Sequence, residues 1–230
     1  MITNTKHLTG SALYALASCV TILALLSATF LILEPSIGHS QETFRIRQTI
    51  TDETSFLVPP TNVDMDDTIT GVTGGTTNGS TTFSVISNNA GGYTVTIAYQ
   101  YDGAHAMLGD TSGSESIRDF DDVAGVPRYN FVASTAAQFG YTVRSLDDTD
   151  TPQAFLDNGA LCNQGAGSQN AYQCWKAPEV GAYTIVDRGS SAVTGATTTL
   201  DFRIDVPNGS VPSVTADTYT ATATLTLLIQ

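Results

Sequence analysis

The sequence predicts an all-β protein: an antiparallel β-sandwich of the Ig-like or Greek-key type, with about nine strands and long loops, preceded by an N-terminal hydrophobic helix. Short segments alternate apolar and polar residues with period two, which sends one set of side chains to a core and the other to water. Gly, Asn, Thr and Pro separate those segments. No stretch after Leu33 sustains a helical period.

The helix is predicted where one Lys and one His precede an apolar run from Ser11 to Leu33. That is the composition of an export signal. The run exceeds the roughly 7 to 15 residues of an ordinary signal-peptide core and approaches the roughly 20 that span a bilayer. Residues 1–40 are therefore expected to be a signal peptide or an N-terminal anchor, with membrane contact only through residues 11–33 if uncleaved. Gly38-His39-Ser40 sets small residues where a signal peptidase looks, so cleavage is expected before Gln41. Leu16-Ala17-Ser18-Cys19 has the outline of a lipobox, yet "VTILALLSATFLIL" follows where a lipoprotein carries a polar tether. On each reading the remainder is exported, to the cell surface or beyond. Residues 41–230 suffice for one substantial core and are read as a single domain.

The first strand is expected in "TFRIRQTI" (43–50), burying Phe44, Ile46 and Ile50. "TTFSVIS" offers Phe83 and Val85. A Tyr-Thr opening then recurs in "GGYTVTIAYQ" at Tyr93, "FGYTVRSL" at Tyr141, "GAYTIVDRG" at Tyr183 and the final strand at Tyr219. The intervals are unequal, so this is a repeated strand type and not a solenoid. "LDFRIDV" is expected to bury Leu200, Phe202, Ile204 and Val206 and to expose Asp201, Arg203 and Asp205. In "TADTYTATATLTLLIQ", Tyr219, Ala221, Ala223, Leu225, Leu227 and Ile229 face inward, and the threonines between them face water. The alanine pair leaves room for a bulky side chain from the opposite sheet, for which Trp175 is the candidate. This strand is expected to close its own sandwich; the alternative is that it pairs with a neighbouring molecule's sheet edge.

Charge narrows the partners. At a net −13, with no basic patch, the chain repels nucleic acid and anionic lipid. Cys162 and Cys174, in "LCNQGAGSQNAYQCW", flank a flexible loop, and in an exported protein such a pair is expected to form a disulfide. Closing the loop should contribute about 2 to 3 kcal/mol. Zinc would need further soft ligands, and after residue 40 His105 is the sole histidine.

The polar stretches 59–80 and 102–125 read as loops and as the place for any binding function. Three acidic clusters are weak calcium candidates: Asp64, Asp66 and Asp67; Asp119, Asp121 and Asp122; Asp147, Asp148 and Asp150. Calcium takes several oxygen ligands from flexible loops; no cofactor is expected, and calcium is the alternative. Solvated turns are the competing reading. Catalysis has less support. "GDTSGSES" resembles a serine nucleophile's surroundings, but no Gly-x-Ser-x-Gly elbow accompanies His105, and no carboxylate pair is singled out for glycoside hydrolysis. The glycine-rich stretch before residue 80 has no phosphate-binding pattern. Tyr93, Tyr141, Tyr183 and Tyr219 read as strand packing or as a sugar-binding face, and Trp175 as a shield over the disulfide. Asn78-Gly79-Ser80 and Asn208-Gly209-Ser210 read as turns.

The last thirty residues, "DFRIDVPNGSVPSVTADTYTATATLTLLIQ", form an alternating strand ending in Val-Pro, a turn, and a Tyr-Thr strand. This pattern resembles the carboxyl end of exported bacterial surface β-sandwiches, including WxL-like and spore-coat-like envelope proteins, with "GGYTVTI" and "CWKAP" as further support. The resemblance implies a fold more than an activity. WxL attachment to cell walls goes with Trp-x-Leu motifs, whereas here Trp175 precedes Lys176 and Ala177, so peptidoglycan binding is not implied. The expected function is that of a non-catalytic cell-surface or envelope protein, structural or adhesive. Its expected partners are envelope components, other surface proteins, or its own copies through strand pairing. A carbohydrate-binding module and a secreted hydrolase are the rival readings.

Overall fold

A computed structural model describes residues 8–32, 43–122, 125–133, 135–165 and 167–230. The chain divides into two units, Met1–Thr49 and Ile50–Gln230. In the first, helix α1 (Leu8–Ile32) carries no charged residue, and Cys19 within it is a free, exposed thiol. Among the described residues, no helix is long and apolar enough to cross a membrane. The expected cleavage site before Gln41 lies outside the described residues. Residues 43–50 form no strand: Phe44 is 84% exposed, Ile46 86% and Ile50 81%. The burial expected for them is therefore corrected. Alternation defines which face a strand would bury but supplies no neighbour to complete its hydrogen bonds.

The second unit is mostly β. Its strands are β1 (Thr54–Val58), β2 (Gly75–Ser87), β3 (Tyr93–Tyr99), β4 (Met107–Gly109), β5 (Ser116–Asp119), β6 (Arg128–Tyr129), β7 (Gln138–Ser145), β8 (Cys174–Trp175), β9 (Tyr183–Arg188), β10 (Ala192–Val206), β11 (Tyr219–Ala221) and β12 (Ala223–Ile229). A seven-stranded sheet has the order β1-β2-β10-β7-β5-β4-β11, a three-stranded sheet β12-β3-β9, and β6 pairs with β8. All pairings are antiparallel except β5 with β7. Phe83, Val85, Val95, Ile97, Tyr141, Val143, Ile185 and Leu200 are fully buried in the main core, as period two demands of strands with one inward face.

Several expectations change. The first predicted loop stops at Gly74 and β2 begins at Gly75, so Asn78 lies in a strand and its Oδ1 accepts a hydrogen bond from Arg203 Nε at 2.9 Å. The second loop contains β4 and β5. Asp201, predicted exposed, is fully buried and accepts from Arg144 Nε at 2.8 Å. The reason is a covered second face. Trp175, Phe120 and Phe131 form their own cluster, and the Arg203 guanidinium lies 4.7 Å from the Trp175 ring.

Trp175 is thus not the filler opposite the terminal alanines. Neither does it share the core of its neighbour: Cys174 belongs to the main cluster, and Trp175 turns to Phe131 at 5.2 Å and donates from Nε1 to Tyr172 O. Cys174 is bonded to Cys162, with the Cα atoms 5.8 Å apart. The disulfide ties the 162–174 loop to β8.

The terminal strand is two strands. Tyr219 pairs with Gly109 in the larger sheet and Leu225 with Ile97 in the smaller, the chain crossing between sheets at Thr222. Leu225 and Leu227 are half-buried, but Ala223 is exposed and Ile229 is 56% exposed, so neither has the inward position predicted for it. An edge strand covered on one side leaves part of its apolar face open.

Candidate functional site

That crossing leaves a groove of about 830 Å³. One wall is the chain from 218 to 225, through β11 and the start of β12; the other is the segment 60–65. The floor is the core itself, with Ile97, Tyr99, Phe139, Leu200 and Phe202 reaching it. Both walls are local consequences of strand ends. β12 is the last strand of its sheet and pairs with β3 alone, and β11 ends the other sheet beside β4. The 60–65 wall is fastened to β2: Thr61 N donates to Thr81 Oγ1 at 2.9 Å, and Asp66 N to Asn78 O at 2.8 Å. Gly79 permits this approach, since a Cβ there would stand 2.7 Å from Val63 Cγ1.

The groove lining is mixed, with Thr61, Asn62, Asp64, Thr81 and Thr218 beside Ile97, Phe139 and Phe202. Tyr99 is 4% exposed, its ring packs on Phe139 and Tyr141, and its hydroxyl has no hydrogen-bond partner. Burial pushes that phenol well above its usual range. A buried hydroxyl without a partner costs about 1 to 3 kcal/mol.

The acidic clusters have separate surroundings. Asp64 lines the groove, and Asp66 and Asp67 follow it, all three exposed. Asp119 accepts from the Tyr101 hydroxyl at 2.8 Å, faces His105 Nδ1 at 3.2 Å and takes the Ala106 N–H on its other oxygen. Asp122 pairs with buried Lys176 at 3.0 Å, and Asp121 is exposed. Asp147 accepts from the Thr149 N–H and hydroxyl, which hold its carboxyl below the usual range. Asp150 is buried against Arg188, and desolvation lifts its pKa despite that partner. Asp148 accepts from Gln169 N at 3.5 Å. The described residues contain no group of three or more His, Cys, Asp or Glu side chains arranged to hold a metal.

Tyr101, His105 and Asp119 do converge, but among the described residues no hydrogen bond joins His105 to a serine. The "GDTSGSES" loop is instead held by Asp217, which accepts from the N–H groups of Thr111 and Ser112. Of the four strand tyrosines, Tyr93 and Tyr141 are core residues and offer no surface to a sugar; Tyr219, half-buried, lines the groove.

Sequence reasoning did not identify the groove. Its one signal was the alanine pair Ala221 and Ala223: the room inferred beside them exists, and both line the groove, but no side chain from the opposite sheet fills it. Comparison with known protein families and with curated proteins finds no match.

Proposed function

We propose that the chain is a non-catalytic exported protein of the cell surface or envelope, structural or adhesive, built on a Greek-key β-sandwich related to the WxL-like and spore-coat-like proteins. The observation that supports this best is the groove. It lies between the 218–225 chain and the 60–65 segment, beside β11 and β12, each paired on one side only, a setting that suits an added extended strand. The signal-like amino terminus and the disulfide agree with an oxidising, exported setting.

The test is protease treatment of intact cells producing the chain, followed by assays for hydrolysis with the purified protein. Digestion of the chain on unbroken cells with no turnover is the expected result. An intracellular, protease-protected chain overturns the proposal, as does hydrolysis that survives purification. A carbohydrate-binding module is the second reading, favoured by the half-buried Tyr219 in the groove wall. Glycan binding that disappears in Tyr219→Ala would establish it.

A further inference from the structure

We propose that Lys176 and Asp122 condense to a covalent amide within the chain, with Glu179 as the proton carrier. The inference does not depend on the envelope reading, because every reactant belongs to one copy. The Lys176 side chain is 1% exposed and that of Asp122 11%, and Nζ lies 3.0 Å from Asp122 Oδ2. Nζ also donates to Glu179 Oε2 at 3.1 Å and to Ala177 O at 3.4 Å, and the centre of the Tyr183 ring is 4.6 Å away. A nucleophile, an electrophile and a second carboxylate therefore meet at one nitrogen, in a nearly dry site.

The three side chains reach that point from separately fixed backbone. Lys176 pairs with Tyr141 on β7 through both its N–H and its C=O, and Glu179 O accepts from Tyr99 N on β3 at 2.9 Å. Asp122 N donates to Phe120 O at 3.0 Å. Its carboxyl takes the Ala177 N–H on Oδ2 at 3.2 Å and the Gly125 N–H on Oδ1 at 3.1 Å. Reactants held about 3 to 3.5 Å apart in fixed orientation react as if highly concentrated. The two N–H groups stand where negative charge builds on the carboxyl oxygens as the nitrogen attacks. Burial penalises an ion pair, and moving one proton turns this one into a neutral amine and carboxylic acid.

The step balances with no further reactant. One ammonium proton passes to Asp122, the freed lone pair forms the Nζ–Cγ bond, and a Cγ–O bond breaks. Glu179 takes a second proton from the nitrogen and gives it to the departing oxygen, which leaves as water; the third proton stays on the amide. Glu179 is 37% exposed, so the water leaves past it to solvent. The bond joins the chain just after β5 to the residue after β8, and it nests the 162–174 disulfide loop inside a second closed loop.

The experiment is intact-mass analysis of the chain as the producing cells process it, denatured and reduced, beside Lys176→Arg and Glu179→Gln, with the amino terminus of each identified. The parent is expected to be lighter than its sequence by one water, and its digest to contain a branched peptide joining positions 122 and 176. Both variants are expected at full sequence mass. Lys176→Arg keeps the positive charge but loses the amine that condenses. Glu179→Gln leaves the Lys176–Asp122 pair in place, so its circular dichroism should match the parent's. A parent of full sequence mass overturns the inference, as does a water loss that Lys176→Arg retains or that maps to any other position. A bond between 122 and 176 that forms as fully in Glu179→Gln overturns the role given to Glu179.

Discussion

Lys176 shows how one side chain can hold the two faces of a sheet together. Its ammonium is 1% exposed, 3.0 Å from Asp122, 3.1 Å from Glu179 and 4.6 Å from the centre of the Tyr183 ring. Its backbone N–H and C=O pair with Tyr141 at 2.8 and 3.0 Å. Removing the charge strands Asp122 in a nearly dry site, and breaking such a pair costs about 3 to 5 kcal/mol. Lys176→Met is expected to cost that much in urea unfolding while keeping the stem's packing; a loss below about 1 kcal/mol would class the pair with ordinary surface bridges. Asp217 is a contrasting case, an exposed carboxylate that clamps a loop. The Ser112 N–H is the main reason its pKa is lowered, with Thr111 and Thr218 adding to it. A lowered folded-state pKa contributes stability above the ordinary carboxylate range and loses it as pH falls through the depressed value. Asp217→Asn is therefore expected to lower Tm at neutral pH, and the gap from the parent should close in acid. A gap of constant size across that range would show that the clamp does not depend on the carboxylate's charge.

At the scale of elements, β12 decides whether the sandwich is self-sufficient. Its pairing with β3 runs from Ala223 opposite Tyr99 to Ile229 opposite Tyr93. Deleting 219–230 strips Leu225 and Leu227 from the core and bares one edge of β3. Full burial of such a side chain is worth about 1.5 to 3 kcal/mol, and half-burial correspondingly less, but the lost ladder adds to it in a domain stable by about 5 to 15 kcal/mol. The truncated chain is expected to lose its cooperative unfolding transition and its near-ultraviolet circular dichroism. A folded truncated monomer would show that β12 serves only its neighbours. The strands around Phe83, Tyr93, Tyr141, Tyr183 and Leu200 were legible because alternation reports a half-buried strand directly. The disulfide was legible from two cysteines flanking a flexible loop in a chain whose amino terminus reads as an export signal. Alternation is equally regular at 43–50, where the strand is missing, because periodicity carries no information about partners. Asp201 and Trp175 were misplaced for a related reason: nothing local tells that the outer face of a sheet is covered. The break at Thr222, which opens the groove, is marked by neither Gly nor Pro.

Over the whole molecule, tyrosines are distributed through the core and report on its integrity. Burial pushes Tyr93 and Tyr183 up to about 12 and Tyr99 and Tyr141 well above the normal phenol range; Tyr101 is raised by burial and by its hydrogen bond to Asp119. The sign follows from proton linkage. Above pH 10 the unfolded chain releases these protons while the folded chain retains them, so stability is fully present below 10 and falls as pH rises toward 12. The chain already carries −13 at neutral pH, and each tyrosinate adds to that repulsion. Alkaline unfolding is therefore expected to be cooperative, with absorbance at the tyrosinate band rising in two steps: exposed phenols first, then the five buried or hydrogen-bonded ones together with loss of near-ultraviolet circular dichroism. A single smooth titration near pH 10 would show that the phenols are accessible in the folded chain.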